Sequence, residues 1–167
     1  MNRRLALVIL LVVCAAAVFA QPAAPLRVTV SLTWDLGLRV GVDYRAWDHV
    51  GFSADIGSTL FILEGAFALT GDAFVVLYAL PPESRVQVSA CLGLVDGRYV
   101  FVSPGAAMFA FGGSVQGSYG FTERLDAFIR LGGGVPFFLE DGEFGRRDIS
   151  FPLGLWPDLT AGVKFAL

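Results

Sequence analysis

The residue types that could carry chemistry are few and scattered. His49 is the only histidine, and it stands beside Asp48. Acyl-transfer chemistry needs a histidine to take the proton of a nucleophilic hydroxyl, and a carboxylate to orient the ring. Yet His49 closes the short polar stretch Ala46-Trp47-Asp48-His49, which reads as a solvated turn. Metal chemistry is equally short of ligands, with one histidine and the two cysteines Cys14 and Cys91. Glu140, Asp141 and Glu143 lack the alternating Asp/Asn ligands and central glycine of a calcium loop, so they read as an acidic, solvated loop. Gly132-Gly133-Gly134 has the glycine density of a phosphate cradle but neither a following lysine nor a strand-to-helix setting. No catalytic, cofactor-binding or metal-binding set is assigned.

Another set of charged residues is spaced with more purpose. Arg39, Asp43, Asp55, Arg85, Asp126, Arg130 and Lys164 each fall on the polar side of a segment that alternates apolar and polar residues. Side chains along a strand point to opposite faces in turn, so a two-residue period means one apolar face and one polar face. From Leu36 to Arg45, the residues Leu36, Leu38, Val40, Val42 and Tyr44 oppose Gly37, Arg39, Gly41, Asp43 and Arg45. The same alternation runs through Val50 to Leu60, Arg85 to Leu94 and Arg124 to Phe138, and no 3.6-residue period explains it. The last residues repeat it, with Leu159, Ala161, Val163, Phe165 and Leu167 on the apolar face.

These segments imply an all-β chain. Eight strands are expected, at 26–34, 36–46, 49–60, 72–80, 85–95, 106–121, 124–138 and 158–167. Ten are reached if two of the links are themselves strands, and Ile149 to Leu155 is read as a loop rim or strand extension. Short links at Ala46–His49, Pro81–Ser84 and Thr122–Arg124 alternate with longer ones at Phe61–Gly71, Asp96–Gly105 and Leu139–Pro157. The link near Trp34-Asp35 must then be tight although it falls at the long-loop end. No repeat or domain linker interrupts the pattern.

The N-terminus reads separately. Arg3 and Arg4 precede the apolar run Leu5–Val13, and Val18-Phe19-Ala20 offers small or modest residues for cleavage. This is the pattern of a secretory signal peptide over residues 1–20, cut after Ala20. The run is short for a spanning helix. Val13 is too bulky before Cys14 for a lipidation site, so Cys14 leaves with the signal and Cys91 remains without an internal disulfide partner. Residues 21–25 form a short N-terminal segment and 26–167 one domain. The formal charge of −3 becomes more negative once Arg3 and Arg4 are removed, which argues against nucleic acid as a partner.

Alternating strands without a spanning helix fit a closed antiparallel barrel, the sheet architecture that can satisfy its backbone inside lipid. Aromatic residues near strand ends then read as interface belts: Tyr44, Trp47, Tyr119 and Phe121 at one end, Trp34, Tyr99 and Trp156 at the other. Alternation alone does not say which face points inward. A soluble barrel holding a small hydrophobic ligand would place the apolar face inside.

The C-terminal Val163-Lys164-Phe165-Ala166-Leu167 and the turn Tyr119-Gly120-Phe121-Thr122-Glu123-Arg124-Leu125 carry a resemblance. Residues 26 to 167 resemble the small bacterial outer-membrane β-barrel proteins of the broad OmpA-like and OmpX-like group. Many of these end on Phe, whereas this chain ends on Leu167 with Phe165 two residues earlier. The resemblance implies export through a cleaved signal peptide, a place in the bacterial outer membrane, and contact with outer-membrane lipid. It also implies insertion by the barrel-assembly machinery, with Leu159, Ala161, Val163, Phe165 and Leu167 as the assembly signal. No OmpA-like peptidoglycan-binding domain is expected beyond the barrel. An eight-stranded barrel is just wide enough to be filled by its own side chains. The charged set is therefore expected to form a paired lumen network rather than an ion path. The expected function is a non-enzymatic integral barrel with a structural or surface-interaction role and an unknown surface ligand. The alternatives are a lipid A-modifying barrel enzyme, a narrow channel and the soluble ligand-binding barrel.

Overall fold

The computed structural model describes residues 26–61, 66–100, 107–140, 143–145 and 154–167. The expected signal peptide, residues 21–25, and residues 149–153 of the Ile149–Leu155 segment lie outside them. Nine strands follow in order: β1 (Leu26–Thr33), β2 (Leu38–Trp47), β3 (Val50–Phe61), β4 (Ala66–Tyr78), β5 (Val86–Val100), β6 (Ala107–Gly120), β7 (Leu125–Glu140), β8 (Glu143–Gly145) and β9 (Trp156–Ala166). Consecutive strands pair antiparallel from β1 to β7. β7 then pairs with β9, and β9 returns to β1 through partners such as Val30 and Val163. Eight strands thus close a ring, while β8 pairs with β7 alone as a three-residue hairpin arm. Closure gives every wall strand two neighbours and leaves no open edge in the ring itself.

The alternation selects the faces. Val40, Ile56, Leu92, Val115 and Leu131 point outward and are about half exposed, from 48% for Val40 to 62% for Ile56. Their strand neighbours Arg39, Asp55, Cys91, Ser114 and Arg130 are buried. The molecule is therefore apolar outside and polar inside, the reverse of a water-soluble barrel. Part of the interior is still apolar: Phe74, Val76 and Tyr78 of β4 cluster with Cys91 and Val95 of β5.

Two expected boundaries need correction. β4 begins at Ala66 rather than at 72, and β5 continues to Val100 rather than stopping at 95. Residues 66–71 and 96–100 of the links expected at Phe61–Gly71 and Asp96–Gly105 are extensions of β4 and β5 rather than new strands, and the ten-strand count gives way to an eight-stranded ring. The physical reason lies in irregular pairing. The register of β4 on β5 shifts between Gly71 and Ala73, and that of β5 on β6 shifts between Leu94 and Asp96. At the second shift Val95 and Asp96 are both buried, so the two-residue period breaks where the strand does not. Gly93 sits just before it at φ 153°, where an added Cβ would stand 2.4 Å from the Ala73 carbonyl oxygen.

The tight link between β1 and β2 is a turn over Trp34-Asp35-Leu36-Gly37. Leu36 takes the left-handed conformation (φ 60°), its N–H donates to the Thr33 carbonyl at 3.0 Å, and the Gly37 N–H donates to Thr33 Oγ1 at 3.1 Å. At the opposite end, Thr122 Oγ1 accepts from the Leu125 N–H at 3.0 Å and holds the β6–β7 turn.

Candidate functional site

The strand faces bring charges from most of the wall into one lumen. Arg39 of β2 donates from Nη1 to Asp72 Oδ2 of β4 at 2.7 Å and from Nη2 to Asp96 Oδ1 of β5 at 2.8 Å. Arg130 of β7 donates to the same Asp72 oxygen at 2.5 Å and from Nε to Asp158 Oδ2 of β9 at 2.7 Å. Arg98 of β5 pairs with Asp96 at 2.6 Å and with Asp35 of the β1–β2 turn at 2.5 Å. A continuous chain results, Asp158–Arg130–Asp72–Arg39–Asp96–Arg98–Asp35, with both signs alternating. The side chains of these seven residues are at most 6% exposed.

This chain braces strands that are not sheet neighbours. Arg39 reaches from β2 to β4 and β5, and Arg130 crosses the lumen from β7 to β4. Arginine suits the task because its planar fork serves two carboxylates at once and stacks on rings. The Arg130 guanidinium lies 4.4 Å from the centroid of Phe74, and that of Arg98 lies 4.7 Å from Trp156. A second group lies toward the end that carries Leu26 and Leu167. There Lys164 pairs with Asp43, which also accepts from the Tyr78 hydroxyl at 3.0 Å, and Arg27 pairs with Asp126. Beyond these pairs the lumen widens into a vestibule of about 680 Å³, open at that end and bounded by Glu83, Arg85, Gln87 and Glu123.

Of the residues expected in the network, Arg39, Asp43, Asp55, Asp126, Arg130 and Lys164 are buried inside the barrel. Asp55 accepts from the Thr29 hydroxyl. Arg85 is a correction. It is exposed just ahead of β5 and borders the vestibule, because the strand starts one residue later and its side chain meets solvent. Sequence reasoning missed Arg27, Asp35, Asp72, Asp96, Arg98 and Asp158. A signal existed for Asp72, which lies an even number of residues from Phe74, Val76 and Tyr78. The all-apolar stretch after it hides which face is inward.

The aromatic residues divide. Trp47, Tyr99, Tyr119 and Phe121 are exposed at strand ends, Tyr119 and Phe121 meet edge-to-face at 5.1 Å, and Tyr44 is half-buried. Trp34 packs edge-on to Trp156 at 5.9 Å. Trp156 departs from its expected place in a belt: its indole N–H donates to Asp96 Oδ2 at 2.8 Å, capping the charged chain at the end that carries Asp35. Its position two residues before the inward-facing Asp158 gives the reason. Leu159, Ala161, Phe165 and Leu167 are exposed on the outer face and Val163 is half-exposed there, with the Leu167 N–H bonded to the Leu26 carbonyl at 3.0 Å. His49 is exposed in the β2–β3 turn, its Nδ1 3.1 Å from the Tyr78 carbonyl oxygen.

Asp35 lies in the turn outside the strands. Burial pushes its carboxyl up, but the Arg98 guanidinium and then the Thr33 hydroxyl outweigh that and hold it below the usual carboxylate range.

No protein-family profile matches the sequence, and no curated protein matches it. Among solved structures, the chain is similar to a major outer membrane protein from Thermus thermophilus. The TM-score is 0.53 at 12% identity, covering 87% of this chain and 100% of that one. A structure from the de novo design of transmembrane β-barrels aligns over 88% of this chain and 98% of its own, at 11% identity and a TM-score of 0.43. The architecture is that of an outer-membrane-type barrel: eight antiparallel strands, closed, with a buried charged network.

Proposed function

We propose that this protein is a non-enzymatic integral barrel of the bacterial outer membrane with a structural or surface-interaction role. The observation that carries the reading is the inverted distribution of polarity. A belt of exposed Leu, Val, Ile and Phe surrounds a wall whose inner face holds ion pairs. In water that belt would be an exposed apolar surface far larger than a monomeric protein sustains, and in lipid it is the favourable face. Outer-membrane lipid is thus the first partner. The barrel-assembly machinery is the second, acting on the apolar face of β9 during insertion. The termini end, with its short turns, faces the periplasm, and the other end faces outward.

A structural role is supported by the lumen itself. Arg39 and Arg130 cross it, each held by two carboxylates, and the path for ions is occupied by the side chains that brace the wall. The non-enzymatic reading is supported by the placement of His49 in an exposed turn, where its ring lies against a backbone carbonyl. The test is gel mobility of the membrane fraction, unboiled and boiled. A closed barrel resists detergent until heated, so a heat-dependent shift in that fraction is expected. A soluble product with no shift overturns the reading.

A further inference from the structure

Asp55 and Asp72 are register partners on the adjacent antiparallel strands β3 and β4, and both are buried. Directly opposed side chains in such a pair have Cβ atoms about 4.5–5.5 Å apart, and like charges placed there repel. Repulsion of this kind is tolerable when a cation sits with each carboxylate. Asp72 has Arg39 and Arg130, both on its Oδ2, while its Oδ1 is buried and meets no hydrogen-bond donor among the described residues. Asp55 has only the Thr29 hydroxyl and no cationic partner among the described residues.

The surrounding charges do not supply one. The titratable groups that the wall sends into the lumen include Arg27 of β1, Arg39 and Asp43 of β2, Tyr78 of β4, and Cys91, Asp96 and Arg98 of β5. β7 adds Asp126 and Arg130, and β9 adds Asp158 and Lys164. Lys164 is committed to Asp43, Arg27 to Asp126, and Arg98 to Asp96 and Asp35. Counting Asp35, five cations meet seven carboxylates among the described residues of the lumen and its outer turn. One of the two excess charges belongs to the arginine chain, which ends at Asp35 in the outer turn. The other is Asp55, set opposite Asp72 inside the wall, where an uncompensated charge is strongly disfavoured.

We propose that Asp55 and Asp72 share one proton in the folded barrel at neutral pH, so that one carboxyl of the pair is a neutral acid. Two opposed carboxylates in a low-dielectric site hold a single proton between them for the same reason that two like charges cannot both persist there. The proton comes from water on folding. It supplies a donor for the pair and leaves the pair with a single negative charge facing Arg39 and Arg130.

Infrared spectroscopy of the full-length folded barrel tests this. A carbonyl band of a protonated carboxylic acid is expected at neutral pH, together with complete loss of that band in Asp55→Asn, because the remaining Asp72 ionises against Arg39 and Arg130. Heat-dependent mobility verifies that the variant is folded, and Asp55→Ser replaces it if Asp55→Asn does not fold. Absence of the band in the wild type overturns the proposal and would point to a bound metal cation as the compensating charge. Persistence of an unchanged band in folded Asp55→Asn also overturns it, by assigning the neutral acid elsewhere.

Discussion

Replacing Arg130 by methionine removes the side chain that joins the two halves of the lumen. Arg130 holds Asp72 at 2.5 Å and Asp158 at 2.7 Å and stacks on Phe74 at 4.4 Å. The two carboxylates fare differently when it goes. Asp72 keeps Arg39, but Asp158 is left with the Thr160 hydroxyl at 2.9 Å and no other cation among the described residues. Removing one member of a buried ion pair costs about 3–5 kcal/mol, because the other charge stays buried. A buried cation–π contact adds about 1 kcal/mol, while methionine returns part of the lost packing. The expected destabilisation is therefore about 4 kcal/mol, roughly a thousandfold in the folded-to-unfolded ratio. Urea titration of the lipid-inserted barrel, read by unboiled gel mobility, measures it. Asp158→Asn in the Arg130→Met background should recover part of the loss by removing the stranded charge. Arg85→Gln is the control: Arg85 is exposed at the vestibule rim, so its change should stay within about 0.5 kcal/mol. An Arg130→Met barrel destabilised by less than about 1 kcal/mol, the range of an exposed pair, would refute the reasoning. It would mean that water, rather than arginine, solvates the lumen carboxylates.

Other perturbations read other parts of the molecule. Leu131 is exposed on the outer face of β7, and Leu131→Arg should destabilise the lipid-inserted barrel by about 2–4 kcal/mol, measured in the same titration; no change would place that face in water. Gly41 faces inward opposite Asp55, and a Cβ there would stand 2.2 Å from both the Ala54 carbonyl oxygen and Asp55 Oδ1. Gly41→Ala should therefore cost about 1–3 kcal/mol by overpacking, seen as a lower temperature for the mobility shift. The Asp35 carboxyl is held below its ordinary range, chiefly by Arg98 acting against burial. Its contribution to stability is thus full above the ordinary Asp range and is lost as pH falls through the lowered folded value. Thermal mobility shifts measured in steps below about pH 4 should show this loss, and Asp35→Asn should flatten it.

Much of the barrel is legible in the sequence because lipid and lumen impose opposite demands on neighbouring residues. Leu38, Arg39, Val40, Gly41, Val42 and Asp43 can satisfy both only as a strand, and the same logic locates β3, the first part of β5, β7 and β9. Two things defeat it. Bulges change the period without ending the strand, so Asp96 and Arg98 look like part of a loop although they anchor the charged chain. Where both faces are apolar, as from Ala73 to Leu80, the pattern has no contrast to read, and the inward Asp72 falls at an apparent strand end. Trp156 reads as an interface aromatic because its indole body fits a belt. Only the fold brings Asp96 of β5 to its N–H. Which face points inward is not legible at all from alternation, since either assignment satisfies a period of two.

The buried charges also bear on how one register is chosen. Every buried acid among the described residues is an aspartate, and three of the four buried cations are arginines. A short acid keeps its carboxylate close to the wall, and a long arginine crosses the remaining width, so each pair fits only when both strands are correctly set. Shifting one strand by a single residue reverses all its side chains. In β7 such a slip would turn Asp126 and Arg130 toward the outer belt and Ile129 and Leu131 into the lumen. An arginine facing the middle of a bilayer costs about 2–4 kcal/mol, and its abandoned partners would be stranded inside as well. The penalty acts on both faces at once. It would be smaller for a lumen lined with uncharged polar residues, even if such a lumen were more stable in the correct register, because exchanging two tolerable faces costs less. On this argument the network contributes discrimination between registers beyond any net stabilisation. A barrel with Arg39, Arg130, Asp72 and Asp158 replaced together by uncharged residues of similar volume should retain much of its equilibrium stability. It should also fold into lipid with a larger fraction of species that never become resistant to detergent. A variant that folds as uniformly as the wild type, by unboiled gel mobility, would sink the argument.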